Sequence, residues 1–322
     1  RDRLYTNEAA IETDSMNNPH IHASYGVSSI SHKNIYLSKN VGSWAQLYTV
    51  ETGRTNADLA LDSNNNPNLT YIKDTGLIRA VYTTGAWSES IIDSPEIYRS
   101  HIVIDDNDDI HLAYKRYQDE ASSVMELRYA TNVTGVWETW TVYSLADAFS
   151  EDIDITADKT GTAYIAYAGD RYNNGVRYFE IQERTWNTVP VDSEPSAQVA
   201  IAVDQNSDIH IIYTLQTGQL KYATNESEVW ITEHMQDVTD SLAPSIAVGS
   251  DGRVHVVYLD NTRHEFRYAV RSSGLWQYYT FEISDSEITS YGGNTAITID
   301  NNQKVHISFY GYDGLLKYTT NR

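Results

Sequence analysis

Ten histidines are the first side chains of this sequence that could do chemistry. Five of them, His22, His111, His210, His255 and His306, recur at like places along the chain. Converging imidazoles would bind a transition metal or act as general bases. Their regular spacing argues for scaffold instead, because a site needs its groups to meet and these fall one to a repeat. More telling are residues that sit where the pattern is interrupted: Arg116 and Tyr117, Arg171 and Tyr172, Arg263 and His264, and Tyr312. A guanidinium offers a fork of donors to hydroxyls and carboxylates, and an aromatic ring stacks on the apolar face of a sugar. Arg, aromatic and carboxylate together therefore suit a saccharide. The same set (Arg171, Tyr172, Arg116, His264) would also serve a polysaccharide lyase, which sets a Tyr or His base beside an Arg that neutralises a uronate. A glycosidase needs two carboxylates about 5–10 Å apart. The chain has 44 acidic residues, too many to single out a pair.

Three turns alternate oxygen side chains: Asp62-Asn64-Asn66, Asp105-Asn107-Asp109 and Asp204-Asn206-Asp208. Such spacing is what Ca²⁺ takes, but the closing Gly and distal Glu of an EF-hand are missing, and metal-free Asx turns use the same residues. The expectation is no cofactor, with Ca²⁺ as the one candidate. No phosphate loop, HExxH, GxSxG or zinc spacing occurs. There is no cysteine, which excludes disulfides, thiolate metal sites and cysteine nucleophiles.

The chain carries 23 basic residues against 44 acidic ones, a net charge of −21. Nucleic acid and anionic membranes are poor partners for such a surface. No apolar run approaches the roughly 20 residues that span a bilayer, so membrane insertion is not expected. Over 322 residues the length alone suggests two domains, but internal repeats override that prior.

A Tyr or Arg stands eight residues before a Trp in Tyr36…Trp44, Arg79…Trp87, Tyr129…Trp137, Tyr178…Trp186, Tyr222…Trp230 and Tyr268…Trp276. One loop length repeated six times is one hairpin register repeated six times. Upstream of each hairpin an Asp and a polar turn precede His-x-x-Tyr, as in Asp105…His111…Tyr114, Asp204…His210…Tyr213 and, with variants, Asp14…His22…Tyr25 and Asp300…His306…Phe309. Seven copies at 43 to 53 residues are the period of propeller blades. The fifth copy shows four short strands: Val199–Val203, Ile209–Tyr213, Gln219–Tyr222 and Trp230–Glu233. The chain therefore reads as one all-β domain, a seven-bladed β-propeller with four antiparallel strands per blade. The blades fall near 8–51, 56–93, 100–144, 150–192, 197–237, 243–283 and 294–322. The last copy stops after its third strand, and Leu4-Tyr5-Thr6 resembles a fourth, so residues 1–7 are expected to complete the last blade and close the ring.

The run Leu/Phe-Lys/Arg-Tyr-Ala-Thr-Asn-x-x-Gly-x-Trp after His-x-x-Tyr resembles the repeat of secreted bacterial propellers, distantly similar to the Asp-box (sialidase-like) and propeller-lectin families. The resemblance spans the chain and implies fold rather than activity. An Asp box reads Ser-x-Asp-x-Gly-x-x-Trp, whereas Thr131–Trp137 lacks the Asp and shortens the Gly-to-Trp gap, and sialidases have six blades. No catalytic residue is carried over. The periodic Trp residues read as filling between blades, and Trp140 stands outside the pattern.

In a propeller the second-to-third-strand loops and the links between blades share one end. The interruptions fall there, with Arg116 and Tyr117 expected beside Arg171 and Tyr172 near the channel mouth. The function expected is binding of a glycan or cell-surface polysaccharide by a secreted or cell-surface protein, ahead of a polysaccharide lyase or glycosidase and of a structural or protein-interaction module. Deleting residues 1–7 should strip the outer strand of the last blade and lower stability by several kcal/mol; an unchanged melting temperature would contradict this closure.

Overall fold

The computed structural model describes residues 8–28, 31–40, 43–52, 58–118, 124–146, 152–169, 175–182, 185–235, 238–283, 294–311 and 314–321. Its elements are all strands, with no helix among the described residues. Blade one holds β1 (Glu8–Thr13), β2 (Pro19–Ser28), β3 (Ser31–Asn40) and β4 (Ser43–Thr52); blade two holds β5 (Asp58–Leu61), β6 (Pro67–Lys73), β7 (Gly76–Thr83) and β8 (Ala86–Asp93). Blade three holds β9 (Ile97–Ile104), β10 (Ile110–Tyr117), β11 (Val124–Thr131) and β12 (Glu138–Ala146); blade four holds β13 (Asp152–Ala157), β14 (Ala163–Ala168), β15 (Val176–Gln182) and β16 (Thr185–Asp192). Blade five holds β17 (Ser196–Val203), β18 (Ile209–Leu215), β19 (Leu220–Thr224) and β20 (Ile231–His234); blade six holds β21 (Ser241–Val248), β22 (Val254–Asp260), β23 (Glu265–Ser272) and β24 (Leu275–Ile283). Blade seven shows β25 (Thr295–Ile299), β26 (Val305–Tyr310) and β27 (Leu316–Thr320). Every sheet is antiparallel in simple sequence order, the seven-bladed propeller architecture the repeats predict. The strand expected from residues 1–7 lies outside the described residues. The chain divides into two compact units, 1–148 with blades one to three and 149–322 with blades four to seven.

Burial follows strand position. The second strands are buried along nearly their whole length, as in Ile209–Leu215 and Val305–Tyr310, because they are apolar on both faces and a neighbouring blade covers each. The fourth strands, such as Thr185–Asp192, are largely exposed and polar. Cores therefore sit between blades. Ile201, Ile211 and Tyr213 pack with Tyr164 and Tyr178 between blades four and five; Ile102, Leu112 and Tyr114 pack with Ile72, Leu77 and Ile92 between blades two and three.

The recurring polar residues build this scaffold. Each turn Asp folds back on its own loop: Asp105 Oδ1 accepts from the Asn107 and Asp109 amides at 2.8 and 2.9 Å, and Asp204 Oδ1 from Asn206 and Asp208 at 2.7 and 2.9 Å. The Oδ1 atoms of Asp105 and Asp204 thus close Asx turns. The His six residues on pairs with a third-strand Tyr, with Nδ1–Oη distances of 2.5 Å for His111–Tyr129, 2.6 Å for His210–Tyr222 and 2.7 Å for His306–Tyr318. In His111 and His306 the Nε2–H points to the turn Asp at 3.4 and 3.1 Å, so Nδ1 accepts from the tyrosine. In blade one this residue is His20, bonded to Tyr36 and Asp14, and not His22. The six-residue Asp-to-His spacing is kept there; His22 lies two residues further along β2 and turns its Nδ1 to the Asp58 carbonyl at 2.9 Å. Blade two substitutes Asn68 with Arg79 (2.9 Å), and blade four Tyr164 with Asp158 (3.0 Å). The Asn of Thr-Asn caps the second strand: Asn132, Asn225 and Asn321 accept from Ile110, Ile209 and Val305 at 2.8, 2.6 and 2.8 Å.

Tryptophans close the seams between blades. Trp87 meets Tyr36, Trp230 meets Tyr178 and Trp276 meets Tyr222 at 5.5, 5.3 and 5.2 Å between ring centres. Trp140 stacks on Tyr129 of its own blade at 5.8 Å. Gly218 shows why a turn residue is fixed: at φ +89° a Cβ there would lie 2.4 Å from the Thr239 carbonyl oxygen.

Two expectations follow from this packing. Trp230→Ala should cost about 3–5 kcal/mol in urea denaturation, with any ligand affinity per folded molecule unaltered. The second concerns acid. Burial holds His20, His111 and His210 below the ordinary histidine value, and His22 and His255 down at about 4. A folded pKa below the unfolded one favours the neutral ring in the fold. The corresponding stability is complete above about pH 6.5 and is lost as pH falls toward the folded values. Burial pushes the Asp14, Asp158 and Asp300 carboxyls up, but hydrogen bonds outweigh it and hold them low, so their contribution goes at still lower pH. The melting temperature should therefore fall between pH 6.5 and 4; a flat profile would contradict the buried, neutral histidines.

Candidate ligand-binding site

Blade three carries the best described part of the predicted loop end. Asp93 ends β8, and the link to β9 turns at Glu96, which has φ +65°. The Glu96 carbonyl accepts from the Tyr117 amide at 3.1 Å, and the Gln118 amide donates to the Val124 carbonyl at 3.0 Å. Link and loop are thereby tied together. Two tyrosines stand on this base. Tyr98 is 43% exposed, and its ring meets the edge of Tyr117 at 6.0 Å.

The same blade carries an ion grid. Arg116 reaches Asp93 at 3.4 Å and Glu126 at 3.2 Å, and Arg128 reaches the same two carboxylates at 3.4 and 3.3 Å. Tyr114 donates to Asp93 at 2.6 Å, while Arg128 Nε donates to the Tyr114 oxygen at 3.1 Å. Burial opposes the Arg128 charge, but Tyr114, Asp93 and Glu126 outweigh it and raise its pKa; burial chiefly raises that of Tyr114. Two cations face two carboxylates, so Arg116 is a fixed donor in a balanced grid rather than a loose cation.

The second unit repeats the device. Asp192 ends β16, Tyr213 donates to it at 2.6 Å, and Lys221 bonds Asp192 and, at 2.7 Å, Glu194. Burial works against both charges. The hydrogen bonds win, raising Lys221 and lowering Asp192. In each case an Asp at the end of one blade clips a Tyr 21 residues later and a cation on the third strand of the next blade. Asp-Ser at 93–94 and 192–193 is the sequence signal for this latch, which the His and Trp periodicities do not reveal.

Arg263 and His264 form the tight turn between β22 and β23. Arg263 Nη1 binds the fully buried Asp260 at 2.7 Å, and Arg267 lies 3.7 Å from the same carboxylate. His264 adopts φ +56°. Arg171, Tyr172 and Tyr312 lie outside the described residues, as does the expected meeting of Arg171 and Tyr172 with Arg116 and Tyr117. Among the described residues no group of three or more His, Asp or Glu is arranged to hold a metal ion.

One constellation escapes the repeat reading altogether. On β9, Arg99 Nε donates to His101 Nε2 at 3.2 Å, and His101 Nδ1 lies 3.5 Å from Asp58 Oδ2 on β5. Its signal is an Arg-x-His on a first strand, away from the periodic histidines.

No family model and no curated protein sequence matches the chain. Solved structures do. An Aleuria aurantia lectin in complex with Fucα1-6GlcNAc is 13% identical with a TM-score of 0.57, over 88% of this chain and 97% of that one. The polysaccharide lyase Uly1 is 10% identical with a TM-score of 0.57, over 97% and 88%. The intramolecular trans-sialidase of Ruminococcus gnavus is 8% identical with a TM-score of 0.54, over 98% and 94%. What is shared is the fold.

Asp192→Ala would leave Lys221 and Tyr213 without their common acceptor. The expected cost is about 3–5 kcal/mol, the scale for breaking one side of a buried pair, read from urea midpoints; a cost below about 1 kcal/mol would show the latch to be ornamental.

Proposed function

We propose that this protein is a carbohydrate-binding propeller of a secreted or cell-surface protein, taking a glycan or cell-surface polysaccharide at the end of the blades where second-to-third-strand loops and blade links lie. The observation that carries the reading is the Tyr98–Tyr117 pair, partly exposed, on the strands that also carry the Arg116–Asp93–Glu126–Arg128 grid. An exposed aromatic face gives a sugar ring an apolar seat, and a rigid array of donors and acceptors suits hydroxyls. Little ordering is needed on binding because the grid is already fixed. Arg263, exposed over Asp260, is a second candidate of the same type in the other unit.

Support comes from three directions. The repeat residues are consumed by scaffold, so function falls to the interruptions, and loops on rigid supports commonly carry it. The net charge of −21 disfavours polyanions such as nucleic acid. Propellers of similar fold include a lectin in complex with a fucosylated sugar. The second reading is a polysaccharide-active enzyme, favoured by the likeness to Uly1 and to a trans-sialidase; release of unsaturated ends from uronate polymers would separate it from simple binding.

A glycan array with and without Ca²⁺ tests the proposal, with Tyr98→Ala and Tyr117→Ala as controls. Each should weaken the best hit by about 0.5–1.5 kcal/mol, with Tyr98→Ala nearly silent in thermal unfolding. Unchanged binding in both variants would place the ligand elsewhere.

A further inference from the structure

The strands that carry Tyr98 and Tyr117 also carry four cations, Arg99 on β9, Lys115 and Arg116 on β10, and Arg128 on β11. Each is engaged within the protein. Arg116 lies 3.4 Å from Asp93 and 3.2 Å from Glu126, and Arg128 lies 3.4 and 3.3 Å from the same two carboxylates. Arg128 also donates Nε–H to the Tyr114 oxygen at 3.1 Å and an Nη2 hydrogen to Thr139 at 2.8 Å, which fixes the plane of its guanidinium. Arg99 gives its Nε–H to His101 at 3.2 Å and makes further contacts. Lys115 is 4% exposed and has interactions of its own. The two carboxylates that hold Arg116 and Arg128 are sheltered as well, the Asp93 side chain being 14% exposed and that of Glu126 12%.

A sugar acid arriving at the tyrosines would have to draw Arg116 or Arg128 away from a carboxylate already ordered beside it. A partner in the same chain loses no translational freedom on binding, so it holds the arginine against an acid free in solution. The incoming acid also meets a chain of net charge −21, with Glu96 in the very link that is tied to the Tyr117 amide. A neutral sugar meets neither obstacle. What it needs is an apolar seat. Tyr98 is 43% exposed, and its ring stands at 82° to that of Tyr117, so the two rings form a corner against which a pyranose can lie.

We propose that Asp93 and Glu126, by holding Arg116 and Arg128, restrict the Tyr98–Tyr117 seat to a neutral saccharide. The inference rests on the carbohydrate reading and adds the ligand class. The two carboxylates determine specificity through charge. Arg116 immediately precedes Tyr117 in β10, their Cα atoms ~3.8 Å apart, so the charge of the grid is felt at the seat. Two cations and two carboxylates leave that charge balanced; loss of one carboxylate leaves an excess cation. Discrimination then comes from withholding attraction from the wrong ligand as much as from contacts with the right one.

The test is calorimetry with glucose, galactose and mannose trisaccharides, each beside the uronate trisaccharide that differs only by oxidation at C6. At least one neutral sugar should bind about tenfold or more tighter than its uronate at low salt, where repulsion reaches furthest. Raising the salt from about 20 mM to about 0.5 M shortens that reach from roughly 20 Å to roughly 4 Å. Uronate binding should then strengthen and narrow the gap, while the neutral affinity moves less than about twofold. Glu126→Gln should narrow the low-salt gap by about threefold or more, whereas Tyr98→Ala should weaken neutral and acidic sugars alike. The salt series needs only the unaltered protein, which covers the case of a Gln variant that does not fold. Equal or tighter binding of the uronate at low salt, uronate binding that weakens as salt rises, or a gap unmoved in folded Glu126→Gln overturns the inference and leaves the carbohydrate reading standing. If neither these sugars nor any glycan on the array binds, that reading fails and the inference falls with it.

Discussion

A four-stranded antiparallel sheet that is apolar on both faces cannot shelter itself. In this protein the second strands are the acute case: Ile209–Leu215 and Val254–Asp260 are buried at every residue, which one sheet alone could never achieve. Each blade therefore depends on its neighbours for its core, and most other features serve that dependence. Trp230 and Trp276 fill the seams, Asp58 and Asp154 stitch first strand to first strand, and Asp93 and Asp192 clip the end of one blade to the Tyr and cation of the next. The latch joins charge to packing, since Tyr114 and Tyr213 are fully buried rings whose hydroxyls need an acceptor that their own blades do not supply.

This mutual dependence is why the architecture was so legible in the sequence. Loop length fixes hairpin register, so the eight-residue Tyr-to-Trp spacing, the Asp turn and His-x-x-Tyr repeat with little freedom. The one misplacement within the pattern is instructive. His22 and His20 point to the same face of β2, two residues apart, and pattern alone favours whichever gives a Tyr three residues later; the Asp14 and Tyr36 bonds decide for His20. The candidate site was legible only in part. Arg116 and Tyr117 were found as an interruption, but the neutralising partners of Arg116, Asp93 and Glu126, come from another blade and another strand, and no sequence period joins them. Arg99 and His101 were missed because first strands vary with little cost to the fold, and their variation reads as noise until register aligns them.

Scaffold and site thus separate by kind of residue. What repeats is bonded inward: turn aspartates to their own amides, histidines to tyrosines, asparagines to the next strand. What does not repeat includes the Tyr98–Tyr117 pair and the Arg99–His101–Asp58 chain, both within unit 1–148. A propeller can vary such residues without disturbing its seams, which is how one fold comes to serve lectins and sugar-acting enzymes alike.

Hydrogen–deuterium exchange with and without the tightest-binding glycan is the most direct test of this division between scaffold and site. The account predicts added protection at residues 94–102 and 114–118, and none at the turns 105–110 and 131–137, which lie at the other end of the same blade. Protection at those turns, with 94–102 unchanged, would contradict it.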